Sequence, residues 1–177
     1  MRSAKLTVRE TAIFGLLGAL MYASKILMEM LPNAHLIGAF IIALTVVYRK
    51  KALYPLYTFI LLTGMFAGFA NWWLPYLYIW AVLWAAAMLL PKRLPPRIAP
   101  LAYMLLCGLH GLGYGVLYAP AQVLLFGLNY QGMIAWIAAG LPFDVMHGIS
   151  NFFCGALVVP LIHAIRLAER VSARQGA

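Results

Sequence analysis

Acidic residues are almost missing from this sequence: 177 residues hold four Asp and Glu against thirteen Lys and Arg, and charged residues make up only 10% of the chain. A soluble domain of this size cannot cover its surface with so few charges, and the 65% apolar content points instead to an integral membrane protein. There are two cysteines, Cys107 and Cys154, both inside apolar runs, which excludes a disulfide framework and leaves them as small packing residues. No GxxxxGKS/T stretch occurs, so the chain is not expected to use ATP by itself. HExxH, GxSxG and cysteine-histidine zinc spacings are missing as well, so no cofactor, no metal and no enzymatic activity are expected. Internal repeats and low-complexity segments are also absent.

What is present is a series of apolar runs broken by short polar separators: RKK at 49–51, NWWLP at 71–75, PKRLPPR at 91–97 and a glycine-containing stretch around 127–132. A bilayer crossing needs about 20 residues. The expected fold is therefore an all-α integral membrane protein, one six-helix domain over 1–177, with spans near 11–30, 34–48, 52–70, 76–91, 98–118 and 142–166. The first run continues to about Met30 without a small-residue cleavage site, so it reads as a retained span.

With both termini cytoplasmic, the inner segments hold Arg2, Lys5, Arg9, Arg49, Lys50, Lys51, Lys92, Arg93, Arg97, Arg166, Arg170 and Arg174, which is twelve of the thirteen basic residues. That is the positive-inside bias of an even number of spans, so the net charge of +9 is topological and nucleic acid drops out as a partner.

One stretch stands apart in this apolar setting: GLPFDVMHGISNFFCG, residues 140–155. Asp144, His147 and Asn151 are spaced i, i+3 and i+7, along one helical face. A charged group at the bilayer centre costs about 2.5–3.5 kcal/mol on insertion scales, so this face should look into the bundle or a wet cavity. Pro142 suits the first turn of a helix after a break at Gly140 and Leu141, which places Asp144 near that helix's amino-terminal end, where the dipole favours negative charge. Two roles stay open for the three residues: capping and interhelical hydrogen bonding, or direct contact with a solute.

The preceding run, CGLHGLGYGVLYAPAQVLLFGLNY, supplies close-approach glycines and the polar tips of His110, Tyr114, Tyr118, Gln122 and Asn129. Near the outer surface Asn71, Trp72, Trp73, Tyr76, Tyr78 and Trp80 form an aromatic cluster that reads either as an interfacial belt or as a pocket that stacks on a planar or bulky solute. The expected substrate-binding set is Trp72, Trp73 and Tyr76 for stacking, with Asn71, His110, Tyr114, Asp144, His147 and Asn151 for hydrogen bonds and His35 beside them. In the first span Gly15, Ala19 and Ala23 recur every four residues, a flat stripe suited to helix packing. Lys25 and Glu29 near its outer end are spaced to pair.

The whole resembles the substrate-binding S components of energy-coupling factor (ECF) transporters, prokaryotic membrane subunits for vitamin uptake. GLLGALMYA in the first span and GLPFDVMHGISNFFCGALVVPL in the last carry the resemblance. LPNAHLIGAFIIAL and FAGFANWWLPYLYIW liken it most to the cobalamin-type branch. The resemblance implies a multi-pass protein of the prokaryotic plasma membrane that captures cobalamin or a related corrinoid at the outer side. It also implies partners, a transmembrane coupling subunit and two ATPase subunits, with Gly15, Ala19 and Ala23 as the docking face. The chain begins Met1, Arg2, Ser3 where nickel and cobalt members begin Met-His, and it carries Ala34 and His35 where the cobalamin pattern has a carboxylate after Pro-Asn. Other water-soluble vitamins and queuosine precursors therefore remain in view. A proton-coupled secondary transporter is the competing reading, because intramembrane Asp and His can relay protons.

Overall fold

A computed structural model describes residues 6–31, 33–92 and 94–175; Arg2, Lys5, Pro32, Arg93 and the Arg174 side chain lie outside the described residues. Among the described residues the chain is all-helical. Its elements are α1 (Val8–Met28), α2 (Ile37–Tyr48), a 3-10 turn (Arg49–Ala52), α3 (Leu53–Ala67), α4 (Tyr76–Leu89), α5 (Ala99–Leu112), α6 (Tyr114–Phe126), α7 (Tyr130–Cys154), a second 3-10 turn (Gly155–Leu157) and α8 (Val158–Gln175). Three segments, Val8–Met28, Ala99–Phe126 and Tyr130–Val171, are long and apolar enough to cross a membrane, which fits a helical membrane protein.

Helix α2 is the centre of the bundle. Every residue from Ile37 to Thr45 is buried, and α1, α4, α5, α7 and α8 pack around it. A helix that is apolar on all faces has no solvated side and belongs in such a place. With twelve residues it is about 18 Å long at 1.5 Å per residue, well short of the roughly 30 Å hydrocarbon core. The loop leading into it carries His35, whose ring lies against Trp80 and His147.

Helix α1 starts on a capping box: the Thr7 hydroxyl accepts from the Glu10 N–H at 3.1 Å, and the Glu10 carboxylate accepts from the Thr7 N–H at 3.0 Å. Its packing face is Phe14, Gly18, Met21 and Ser24. Gly18 lets α1 lie directly on α3, because a Cβ there would stand 2.6 Å from Thr58 Cβ and 2.9 Å from the Pro55 carbonyl oxygen. The stripe of Gly15, Ala19 and Ala23 lies on a different face: Ala19 and Ala23 are exposed, and a Cβ on Gly15 meets nothing within 4 Å. The two glycines should respond differently to the same change. Gly18→Ala is expected to cost about 1–3 kcal/mol of stability through overpacking, whereas Gly15→Ala should cost nothing measurable, with thermal unfolding in detergent as the readout. Lys25 and Glu29 pair at 2.6 Å, as their spacing suggested.

The second half of the chain departs from the sequence reading in two places. The expected span 98–118 is two helices, α5 and α6, joined at Gly113 and running on to Phe126. The last expected span does not begin at 142. Asn129 caps a helix that starts at Tyr130, its side-chain oxygen accepting from the Gly132 N–H at 2.8 Å, and Pro142 lies inside that helix. Proline removes one backbone donor and crowds one carbonyl without ending a helix that its neighbours hold. Asp144 is accordingly deep in α7, not near its amino-terminal end.

Helices α5 and α6 run antiparallel to α7 as a long hairpin whose seam is built from glycine. Added Cβ atoms would lie 3.0 Å from Phe152 Cβ at Gly108, 2.7 Å from the His147 carbonyl oxygen at Gly111, 2.2 Å from Asp144 Oδ2 at Gly115 and 2.6 Å from Met104 Cα at Gly155. Small residues allow this backbone approach where apolar lipid supplies no hydrophobic drive.

Candidate functional site

The short α2 and the glycine seam bring polar and aromatic side chains together around the amino-terminal end of α2. Trp80 of α4 is the centre. Its ring lies 5.5 Å from His35, 5.4 Å from His110, 5.9 Å from Tyr114 and 5.8 Å from Tyr76, between centroids. His147 of α7 faces His35 at 5.3 Å and Tyr114 at 5.2 Å. Four helices and one loop thus contribute to one cluster.

Some of these polar groups have protein partners. The carbonyl oxygen of Ile79 can only accept, so His110 donates from Nε2 at 3.1 Å. Asp144 Oδ1 accepts from the Gly115 N–H at 3.0 Å. Gly115 is the second residue of α6, where the break at Gly113 leaves backbone donors without intrahelical acceptors. The helix end that Asp144 serves is therefore that of α6, reached from across the hairpin, and the dipole argument applies there.

Other buried polar atoms in the same region have no protein hydrogen-bond partner among the described residues: His35 Nδ1, Trp80 Nε1, Asp144 Oδ2, His147 Nδ1 and Asn151 Oδ1. Asp144 is 4% exposed, Asn151 3% and Trp80 2%. Buried polar atoms are nearly always paired, and an unpaired one costs about 1–3 kcal/mol. Five of them gather in one region, which leaves hydrogen-bonding capacity there for water or a solute.

A cavity of about 240 Å³ opens on this cluster, lined by Tyr114, Gly115, Tyr118, Trp136, Gly140, Phe143, Asp144 and His147. Tyr118 and Trp136 stack at 5.7 Å with an interplanar angle of 23° and form one wall. Two hydrogen bonds tie loops to the helices of this region. The Ser150 hydroxyl donates to the Asn33 carbonyl at 2.5 Å, tying α7 to the loop before α2, where Asn33 takes a left-handed φ of 56°. The Tyr118 hydroxyl donates to the Trp72 carbonyl at 3.2 Å, tying α6 to the loop between α3 and α4.

The expected residues divide by position. His35, Tyr76, His110, Tyr114, Asp144, His147 and Asn151 fall in or against the cluster, and Trp72 stands at its rim, edge-on to Tyr76 at 5.6 Å. Two do not join it. Trp73 is turned onto α3, its indole N–H donating to the Ile60 carbonyl at 2.8 Å and its ring edge-on to Phe69 at 5.0 Å. Asn71 is exposed on the loop. Trp136 is a wall residue that the sequence did not suggest. Among the described residues no three His, Cys, Asp or Glu side chains are grouped to hold a metal ion. No protein-family model matches the chain, and neither a curated relative nor a solved structure matches it.

Proposed function

We propose that this chain is a membrane-embedded solute-binding subunit of the energy-coupling factor type, which captures a water-soluble vitamin or vitamin precursor at the outer side and depends on separate subunits for energy. The observation that carries the reading is the group of five unpartnered polar atoms, two of which, Asp144 Oδ2 and His147 Nδ1, belong to residues lining an aromatic-walled cavity. Counting α5 with α6 and α7 with α8 as single crossings gives six, with both termini cytoplasmic and the cavity near the outer surface. Under this topology the basic turn at Arg49–Lys51 and the basic start of the chain share the inner side.

The partners would be a transmembrane coupling subunit and two ATPase subunits. Support for a docking face comes from α1, where Gly15, Ala19 and Ala23 stay uncovered by the rest of the chain, beside the exposed Leu16 and Leu20. Such a flat stripe admits a second helix at close range. A large residue at Ala19 tests this: Ala19→Leu should leave solute affinity within twofold while uptake in cells that carry the coupling module falls at least tenfold. Uptake unchanged in the variant would remove the stripe from the docking face.

The size of the site bears on the solute. Sites for drug-sized ligands span about 300–1,000 Å³, and a cavity of about 240 Å³ lies below that range. It supports a single-ring or fused-bicyclic solute, another water-soluble vitamin or a queuosine precursor, over the cobalamin or corrinoid that the resemblance favours. Uptake that requires added coupling and ATPase subunits would support this function, whereas uptake driven by a pH gradient in vesicles of this chain alone would support a proton-coupled transporter instead.

A further inference from the structure

The hydrogen-bonding character of the cavity restricts the chemistry of its solute further, on the premise that the cavity binds one. Of the residues lining the cavity, Asp144 carries a buried acceptor, Oδ2, that lacks a donor; Asn151 Oδ1 and Trp80 Nε1, likewise unpartnered, belong to residues outside the lining. The His35 and His147 Nδ1 atoms can take either role. No Lys or Arg is among the residues lining the cavity, and Asp144 is its only acid. A carboxylate or phosphate brought here would meet a carboxylate with no cation to offset it, whereas an N–H group would satisfy the free oxygen.

Shape points the same way. Tyr114, Tyr118 and Trp136 offer ring faces, with Tyr114 and Tyr118 6.0 Å apart and Tyr118 stacked on Trp136. Such walls favour a flat solute and tolerate positive charge on it. Gly140, midway on α7 between Trp136 and Asp144, leaves the space between them open, since a Cβ there meets nothing within 4 Å. Seven residues of helix separate Asp144 from Asn151, about 10 Å along the axis. The lining runs along α7 from Trp136 to His147, so a solute held at Asp144 lies over Gly140 toward the Trp136 ring.

We propose that the site takes a planar nitrogen heterocycle, neutral or cationic, that presents an exocyclic amino N–H to Asp144 Oδ2, and that it rejects anionic solutes. The test is calorimetric titration of the detergent-purified full chain with matched pairs that exchange an amino group for a carbonyl: thiamine against oxythiamine, and 2,6-diaminopurine against xanthine. Biotin and pantothenate serve as anionic probes and cobinamide as a macrocycle.

The expected result is that the amino member of at least one pair binds at least tenfold more tightly than its oxo partner, that biotin and pantothenate do not bind, and that Asp144→Asn narrows or inverts the preference. Binding of an oxo member, an anion or cobinamide with no amino member bound overturns this inference and leaves solute capture standing. Silence across all probes from a sample with a cooperative thermal transition overturns both.

Discussion

Asp144→Asn is expected to weaken solute binding about 10- to 100-fold without unfolding the protein. The amide keeps an oxygen to accept from the Gly115 N–H, the bond that Asp144 Oδ1 makes at 3.0 Å. At the other position it places an NH₂ where the carboxylate offers Oδ2, turning an acceptor into a donor and removing the charge. Hydrogen bonds to charged groups are worth about 1.5–3 kcal/mol, and about 1.4 kcal/mol is a factor of ten. Titration of wild type and variant, with thermal unfolding run alongside, reads the two effects separately. Asp144→Ala removes both oxygens, so it should lose stability as well as affinity. Equal affinity of wild type and Asp144→Asn would reduce Asp144 to a cap on α6.

The second large effect concerns the hairpin. Gly111→Ala and Gly155→Ala should each cost about 1–3 kcal/mol of stability, because the new Cβ meets backbone that cannot rotate away. At Gly111 the obstacle is the His147 carbonyl oxygen at 2.7 Å, and at Gly155 it is Met104 Cα at 2.6 Å. Gly111→Ala should weaken binding too, since its Cβ also stands 2.8 Å from Asn151 Nδ2. Gly155→Ala acts a full turn or more away from the cavity, so its loss should fall mainly on stability. Gly140→Ala is the control, expected to unfold at the wild-type temperature. Thermal unfolding in one detergent compares all three, and a Gly111→Ala protein as stable as wild type would mean that the two helices are not held at the distance described.

Much of this was legible in the sequence because lipid restricts what an apolar chain can do. Long apolar runs had to become helices, and RKK at 49–51 and NWWLP at 71–75 had to interrupt them. The single aspartate, with His147 and Asn151 on the same face, had to turn inward, and Asp144 and Asn151 are both buried. Extended structure was less legible. Pro142 was read as a start because proline suits a first turn, but a proline inside a helix held by neighbours costs too little to break it. That single error hid Trp136. Once α7 begins at Tyr130, Trp136, Gly140, Asp144 and His147 recur at helical spacing on one face, and the wall residue follows. The inclusion of Trp73 failed for another reason. Adjacent aromatics on a loop look alike in sequence, and only packing decides that Trp72 stands edge-on to Tyr76 at the rim of the cluster while Trp73 holds α3. His35, placed beside the binding set from sequence, does pack into the cluster, against Trp80 and His147.

Whether the buried cluster holds a solute is read from what the protein carries. The full chain, purified in detergent from cells grown in rich medium, is denatured and the released small molecules are quantified by mass spectrometry against Asp144→Asn prepared in parallel. A ring-bearing solute released at about one per chain from wild type, and at least tenfold less from the variant, is the result this account predicts. No enriched solute from wild type, or equal release from both proteins, would contradict it.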